Sequence, residues 1–289
     1  MQGRIVELGV RDWHAPGSDR EWIAAVEDGK VLYFPQLVFE LSNEERALLK
    51  PELLAPGVRN ISWDTRRGLK GVAGDETVQA SVTQLVSRFA AQAAALVHGL
   101  FPAYGSHLRA APASLRPTSV ANRRQSVRAD DRRLHVDAFP SRPNYGERIL
   151  RVFANVNPDG EPRVWRVGEP FEDVARRFVP QAAPYSRWQA RLLHALHVTK
   201  SLRSEYDHLM LQMHDRMKAD DEYQRDCPQV TMPFPPGSAW VCFSDQTVHA
   251  AMSGQYMMEQ TFHLPAAKQY NPDMSPLAIL GRLAGHPVI

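Results

Sequence analysis

Apolar and polar positions along the chain change period several times. The run "VLYF" (31–34) is short and continuously apolar, as in a buried strand. Ser42 with Glu45 three positions later forms the pattern of a capping box and predicts a helix through about Leu49. The stretch "NISWDTRRGLKGVAGD" is rich in turn formers and predicts a loop or short irregular strands. From Glu76 to about Leu100 the Ala/Leu/Val/Gln-rich sequence predicts a long helix, ended by Gly99 and Pro102. Between about 108 and 167, "SLRPTSVA", "RRLHVDAF", "ERILRVFANVN" and "PRVWRVG" predict short strands, with "NVNPDGEP" a turn between two of them. The pattern is helical again from Tyr185 to Arg225, then returns to strands in "VTMPFPPGSAWVCFSDQTVHAAMSGQYMMEQTFHLPA". A strand block, a helical insertion and a second strand block predict one domain over 1–289. Segment 1–107 supplies supporting helices and strands, 108–180 and 227–265 the core, and 185–225 the insertion. The tail from Lys268 is expected to wrap the body.

Composition narrows the class. With 44% hydrophobic and 23% charged residues in 289 positions, the chain is globular. Two cysteines, Cys227 and Cys242, make neither a disulfide framework nor a thiolate cluster, which favours a reducing compartment. The start of the chain lacks the pattern of a secretory signal, and no apolar run is long enough for a membrane span. Net charge is only +2, yet arginines crowd the region around His135, including Arg109, Arg116, Arg123, Arg124, Arg128, Arg132, Arg133, Arg142, Arg148 and Arg151. Such a basic cleft attracts an anion. No nucleic-acid-reading motif accompanies it, so nucleic acid is not expected as a partner.

His135 and Asp137 stand two apart in "RRLHVDAF", so in a strand both side chains face the same way. Alone, that pair is equally a turn or a satisfied hydrogen-bonded couple. A third ligand on another strand is needed, and His249 in "PPGSAWVCFSDQTVHAAMSG" has the best context, following a polar turn into a strand. Two histidines and one carboxylate form a facial triad that leaves positions for a bidentate co-substrate and dioxygen on iron(II). Zinc accepts the same donors, but a closed site wants a fourth protein ligand, which is not evident. His194, His197, His208 and His214 lie in the helical insertion and are expected to pack or face solvent, with His107 and His263 as weaker alternatives. No nucleophile-elbow motif supports a hydrolase.

"HVD" followed far downstream by His249 resembles the signature of the iron(II)/2-oxoglutarate-dependent oxygenases. The segments "RILRVFANVNPDGEPRVWRVGEPF" and "FPPGSAWVCFSDQTVHAAMSG" resemble the branch that hydroxylates 3-deoxy-D-manno-oct-2-ulosonic acid (Kdo). That resemblance implies a mainly β fold with supporting helices, a double-stranded β-helix or jelly-roll, cupin-like barrel. It implies iron(II), 2-oxoglutarate and dioxygen as reactants, and hydroxylation of carbon 3 of Kdo in Kdo-lipid A or a related anionic glycolipid. The expected location is cytoplasmic, with peripheral contact at the inner-membrane surface.

Many relatives hold the far carboxylate of 2-oxoglutarate with an arginine after the distal histidine. Here that region offers Gln255 and Gln260, which hydrogen-bond a carboxylate without charge assistance. Arg151, sharing a strand face with Phe153 and Asn155, is the leading replacement and Arg116 the second, with Asn155 and Gln260 as further expected contacts of the co-substrate, while Arg148 falls on the opposite face. Arg123, Arg124, Arg128, Arg132 and Arg133 offer a basic rim, and the insertion offers a lid or a homo-oligomer contact. Two competing readings are an oxygenase of another anionic metabolite or protein, and a non-catalytic sugar-binding jelly roll.

Overall fold

The computed structural model describes residues 3–121 and 125–289. Elements follow in the order β1 (Ile5–Glu7), α1 (Arg20–Glu27), β2 (Val31–Phe34), α2 (Asn43–Arg46), β3 (Ile61–Asp64), β4 (Gly68–Lys70), α3 (Glu76–Leu100), β5 (Arg109–Ala110), β6 (Ala113–Arg116) and β7 (Arg148–Asn155). Next come β8 (Arg163–Gly168), α4 (Phe171–Phe178), α5 (Arg187–Ala195), α6 (Glu205–Ala219), α7 (Asp221–Asp226), β9 (Gln229–Phe234), β10 (Ala239–Phe243), β11 (His249–Ser253), β12 (Met257–Leu264) and α8 (Pro276–Ala284). The Ser42 capping box is present, with Ser42 accepting from the Glu45 amide and the Glu45 side chain accepting from the Ser42 amide; the helix it starts is shorter than its pattern predicts. Among the described residues no helix is long and apolar enough to cross a membrane.

The strands form a nine-stranded sheet, ordered β1-β2-β10-β7-β12-β6-β3-β4 with β5 beside β12, and a three-stranded sheet, β11-β8-β9. β1 and β2 pair in parallel; every other pairing is antiparallel. This corrects the expected jelly-roll barrel. Among the described residues no strand is shared between the ladders, so neither sheet closes on itself or on the other. The segment "RRLHVDAF" likewise makes no full strand, but a single bridge between His135 and His249 at the β11 edge. Periodicity predicts strands; it does not specify which edges hydrogen-bond.

Strand alternation sorts the side chains into layers. On β7, β10 and β12, Leu150, Val152, Ala154, Val241, Phe243, Met258 and Phe262 face a core shared with α3 residues such as Leu85, Phe89 and Leu96. The opposite face of the same strands turns Phe153, Trp240 and Met257 toward Trp165, Val167 and Phe234 of the small sheet. Trp240 stacks on Phe234 (4.2 Å between centroids) and Trp165 meets Phe153 edge-on (5.0 Å); aromatic pairs of this kind contribute about 0.5–1.5 kcal/mol beyond their buried area. The outer side of the small sheet, with Leu134, Val136, Val248 and Ala250, is covered by α4, α6 and α8. The inter-sheet layer is therefore sealed on both sides, and at one end it opens into a polar cavity.

Candidate metal centre

His135, Asp137 and His249 meet there, with one donor atom from each lying within 4.8 Å of the others. Backbone hydrogen bonds fix the meeting. The His135 amide donates to the His249 carbonyl (3.0 Å) and the His249 amide to the His135 carbonyl (2.9 Å), while the Asp137 amide donates to the Ser244 carbonyl (2.8 Å). Ser244 begins the buried polar corner 244–247 between β10 and β11. One short corner thus positions two of the three side chains.

The ring orientations suit a cation. Nδ1 of His135 lies 2.7 Å from the Arg133 carbonyl, and Nδ1 of His249 lies 2.8 Å from the Thr247 carbonyl. A carbonyl only accepts, so each Nδ1 carries the hydrogen and each Nε2 keeps a lone pair. The His249 ring is further held by stacking on Trp165 (5.0 Å, 22°). Burial lowers the pKa of both imidazoles, for His135 with a further contribution from His249, so both are neutral at pH 7. Burial alone would raise the Asp137 pKa, but the Arg151 guanidinium pulls it well below the usual carboxylate range. A buried anionic oxygen beside two neutral imidazole lone pairs fits a divalent ion.

The surrounding cavity, about 210 Å³, is lined by Arg116, Asp131, Phe139, Arg151, Arg163, Trp165 and Glu259 among others. Arg151 reaches Oδ2 of Asp137 at 3.0 Å and Oε1 of Glu259 at 3.3 Å, and Arg116 reaches Oε2 of Glu259 at 2.6 Å. Asp137 Oδ1 lies 3.8 Å from Nε2 of His135, beyond hydrogen-bond distance, so one carboxylate oxygen faces the imidazole lone pair while the other faces Arg151. Burial would raise the Glu259 pKa, yet Arg116 and Arg151 lower it, keeping it ionised. Burial pushes the Cys242 thiol up to about 12, so it stays protonated beside this charged cluster.

Two residues expected at the co-substrate lie elsewhere. The Asn155 amide donates to the carbonyls of Glu161 and Phe234, and the Gln260 amide to those of Ala111 and Thr261; neither lines the cavity. Gln260 follows Glu259 on β12, so alternation turns it to the opposite face. The anticipated basic rim is largely neutralised, with Arg128 paired to Asp215, Arg132 to Asp130 and Arg133 to Asp221. Arg123 and Arg124 lie outside the described residues. His214, expected to pack or face solvent, is buried and meets the His135 ring edge-on at 5.4 Å.

The sequence pattern does not single out Glu259, Arg163, Trp165 or Asp131. An acid inside the apolar run "MMEQTF" and an Arg-x-Trp alternation in "PRVWRVG" were the available signals. Gly254 (φ +106) places the β11–β12 turn against Arg163, where an added Cβ would lie 2.8 Å from Arg163 Cδ, and its carbonyl accepts from Arg163 at 3.0 Å.

A family model described as 3-deoxy-D-manno-oct-2-ulosonic acid (Kdo) hydroxylase matches residues 10–287. The chain belongs to the Kdo hydroxylase family. Among solved structures, this Kdo hydroxylase family member resembles the Kdo hydroxylase KdoO, a non-heme Fe(II) alphaketoglutarate-dependent dioxygenase. The cobalt(II) complex of KdoO is 44% identical over 99% of this chain and 97% of that one, with a TM-score of 0.95. KdoO with alphaketoglutarate and Fe(III), and with succinate and Fe(III), matches at the same identity and coverage with a TM-score of 0.93 each. No curated protein sequence matches the chain.

Proposed function

We infer that this chain hydroxylates carbon 3 of Kdo in Kdo-lipid A or a related anionic glycolipid, with His135, Asp137 and His249 holding the iron. It is an iron(II)/2-oxoglutarate-dependent dioxygenase of Kdo, and the hydroxylation is coupled to decarboxylation of 2-oxoglutarate. The observation that carries the residue assignment is the convergence of those three donors in a chain so similar to KdoO. Iron and 2-oxoglutarate, when bound, supply the activation of dioxygen that side chains lack.

The chain's own residues orient and shield. Arg151 anchors Oδ2 of Asp137, leaving Oδ1 as the metal-facing oxygen, and the carbonyls of Arg133 and Thr247 hold the imidazoles in the ligating tautomer. Arg116 and Arg151, steered by Glu259, form the wall that receives a carboxylate of 2-oxoglutarate or of the sugar. A cavity of about 210 Å³ suits small acids and leaves acyl chains outside. Work at the cytoplasmic face of the inner membrane accords with that division and with two free, buried cysteines.

The test is anaerobic loading with iron(II) and 2-oxoglutarate, admission of oxygen, and mass spectrometry of Kdo-lipid A. The expected product gains one oxygen atom on the Kdo carbon 3, with an equal amount of succinate. Succinate formation without change of the sugar would refute the substrate assignment.

A further inference from the structure

The segment around α5 leaves an apolar stripe in solvent. Trp188 is 72% exposed, Leu192 41%, Leu196 63%, Val198 53% and Leu202 42%. Trp188 and Leu192 stand one turn apart on one face of α5, opposite Ala190, its one buried residue, and Leu196 follows as the residue that caps the helix end. A monomeric protein seldom groups its largest exposed side chains in this way.

The charge around the stripe is one-sided. Between Asp173 and Glu205 the sequence holds no acid, while Arg176, Arg177, Arg187, Arg191, Lys200 and Arg203 supply only cations. Arg176 and Arg177 are paired with Glu172 and Glu169. Among the described residues, Arg187, Arg191 and Lys200 form no ion pair. An exposed tryptophan and leucines flanked by uncompensated basic side chains are the composition of a helix that lies in an anionic lipid interface.

The stripe is tied to the mouth of the metal cavity. The Lys200 amide donates to the Ser141 carbonyl (2.9 Å), Arg203 to the Pro140 carbonyl (2.6 Å), and the Tyr145 hydroxyl to the Leu202 carbonyl (2.6 Å). Those acceptors and Tyr145 bracket the loop after Asp137, whose Phe139 lines the cavity. We propose that residues 187–203 are the membrane-docking element, seating Trp188, Leu192 and Leu196 in an anionic bilayer with the cavity mouth beside the headgroups. This rests on the glycolipid substrate inferred above. It also moves the lipid-facing surface from the rim at 128–133, whose arginines are neutralised internally, to the insertion.

The experiment is co-sedimentation of the full chain with phosphatidylethanolamine–phosphatidylglycerol vesicles and with phosphatidylcholine vesicles. Binding is expected to the anionic vesicles, to weaken with salt, and to fall at least about tenfold in Trp188→Ala/Leu192→Ser and in Arg187→Gln/Arg191→Gln. Turnover of a lipid-free Kdo glycoside should be unchanged in both variants, while turnover of Kdo-lipid A in vesicles drops. Equal vesicle binding by the variants, or a dimer in solution that Trp188→Ala dissolves, would overturn the proposal. Vesicle binding needs no turnover, so loss of sugar hydroxylation in the unaltered protein counts against the functional reading and leaves the docking result to be decided separately.

Discussion

Strand β7 carries two arginines three residues apart that lead opposite lives. Arg148 is fully buried and donates from each of its three nitrogens: it meets Asp245 at 2.7 Å, donates to Gln246 and Gln269, and lies over the Phe243 ring at 3.9 Å. Arg151 points into the cavity, pairs with Asp137 and Glu259, and its buried Nε has no hydrogen-bond partner among the described residues. A guanidinium whose three nitrogens are all engaged holds architecture; here it fixes the 244–247 corner on which Asp137 and His249 hang. An incompletely satisfied guanidinium facing a cavity retains capacity for an anion. Buried charge by itself therefore does not mark function, whereas unfinished hydrogen bonding in a cavity does.

The largest expected effect breaks the first member of that pair. Arg148→Met should cost about 3–5 kcal/mol of stability in chemical denaturation, because Asp245 is left charged and uncompensated in the interior. Adding Asp245→Asn should recover part of the loss. Arg151→Ala should lose less stability, since its carboxylate partners open onto the cavity, but should weaken iron affinity or activity about 10–100-fold and raise the KM for 2-oxoglutarate. Equal stability losses from the two substitutions would erase the distinction.

The histidines sharpen it through pH. Both His135 and His249 have folded pKa values below the ordinary 6.5, so the unfolded chain binds protons first. Stability of the metal-free protein should be full above 6.5 and decline as pH falls below it, by about 1.4 kcal/mol per unit of pKa difference for each imidazole. Thermal unfolding of His249→Ala across that range should show a shallower decline than the unaltered protein. The smallest effect is expected from Gln260→Met: a loss of about 1–2 kcal/mol as two carbonyls lose their donor, with no change in the KM for 2-oxoglutarate.

Much of this was legible in the residues. Alternation in "RILRVFAN" separates Arg148 from Arg151, and the spacing of His135 and Asp137 with a strand-borne His249 identifies the three donors that meet. What the sequence could not convey is pairing at a distance. Glu259 gains meaning only when β12 sits beside β6 and β7, bringing it between Arg116 and Arg151. Asn155 and Gln260 are chemically able to hold a carboxylate, but the carbonyls of Phe234 and Ala111, far away in sequence, accept from their amides. The barrel expectation failed for the same reason, since closure depends on edges that periodicity does not describe.

The most direct test of the centre is anaerobic equilibrium dialysis of the full chain against ferrous ion, alone and with His135→Ala, Asp137→Ala and His249→Ala variants verified as folded by circular dichroism. One iron per unaltered chain is expected, with binding reduced beyond detection at the same concentration in each variant. Unchanged iron binding in the folded His249→Ala protein would contradict the account.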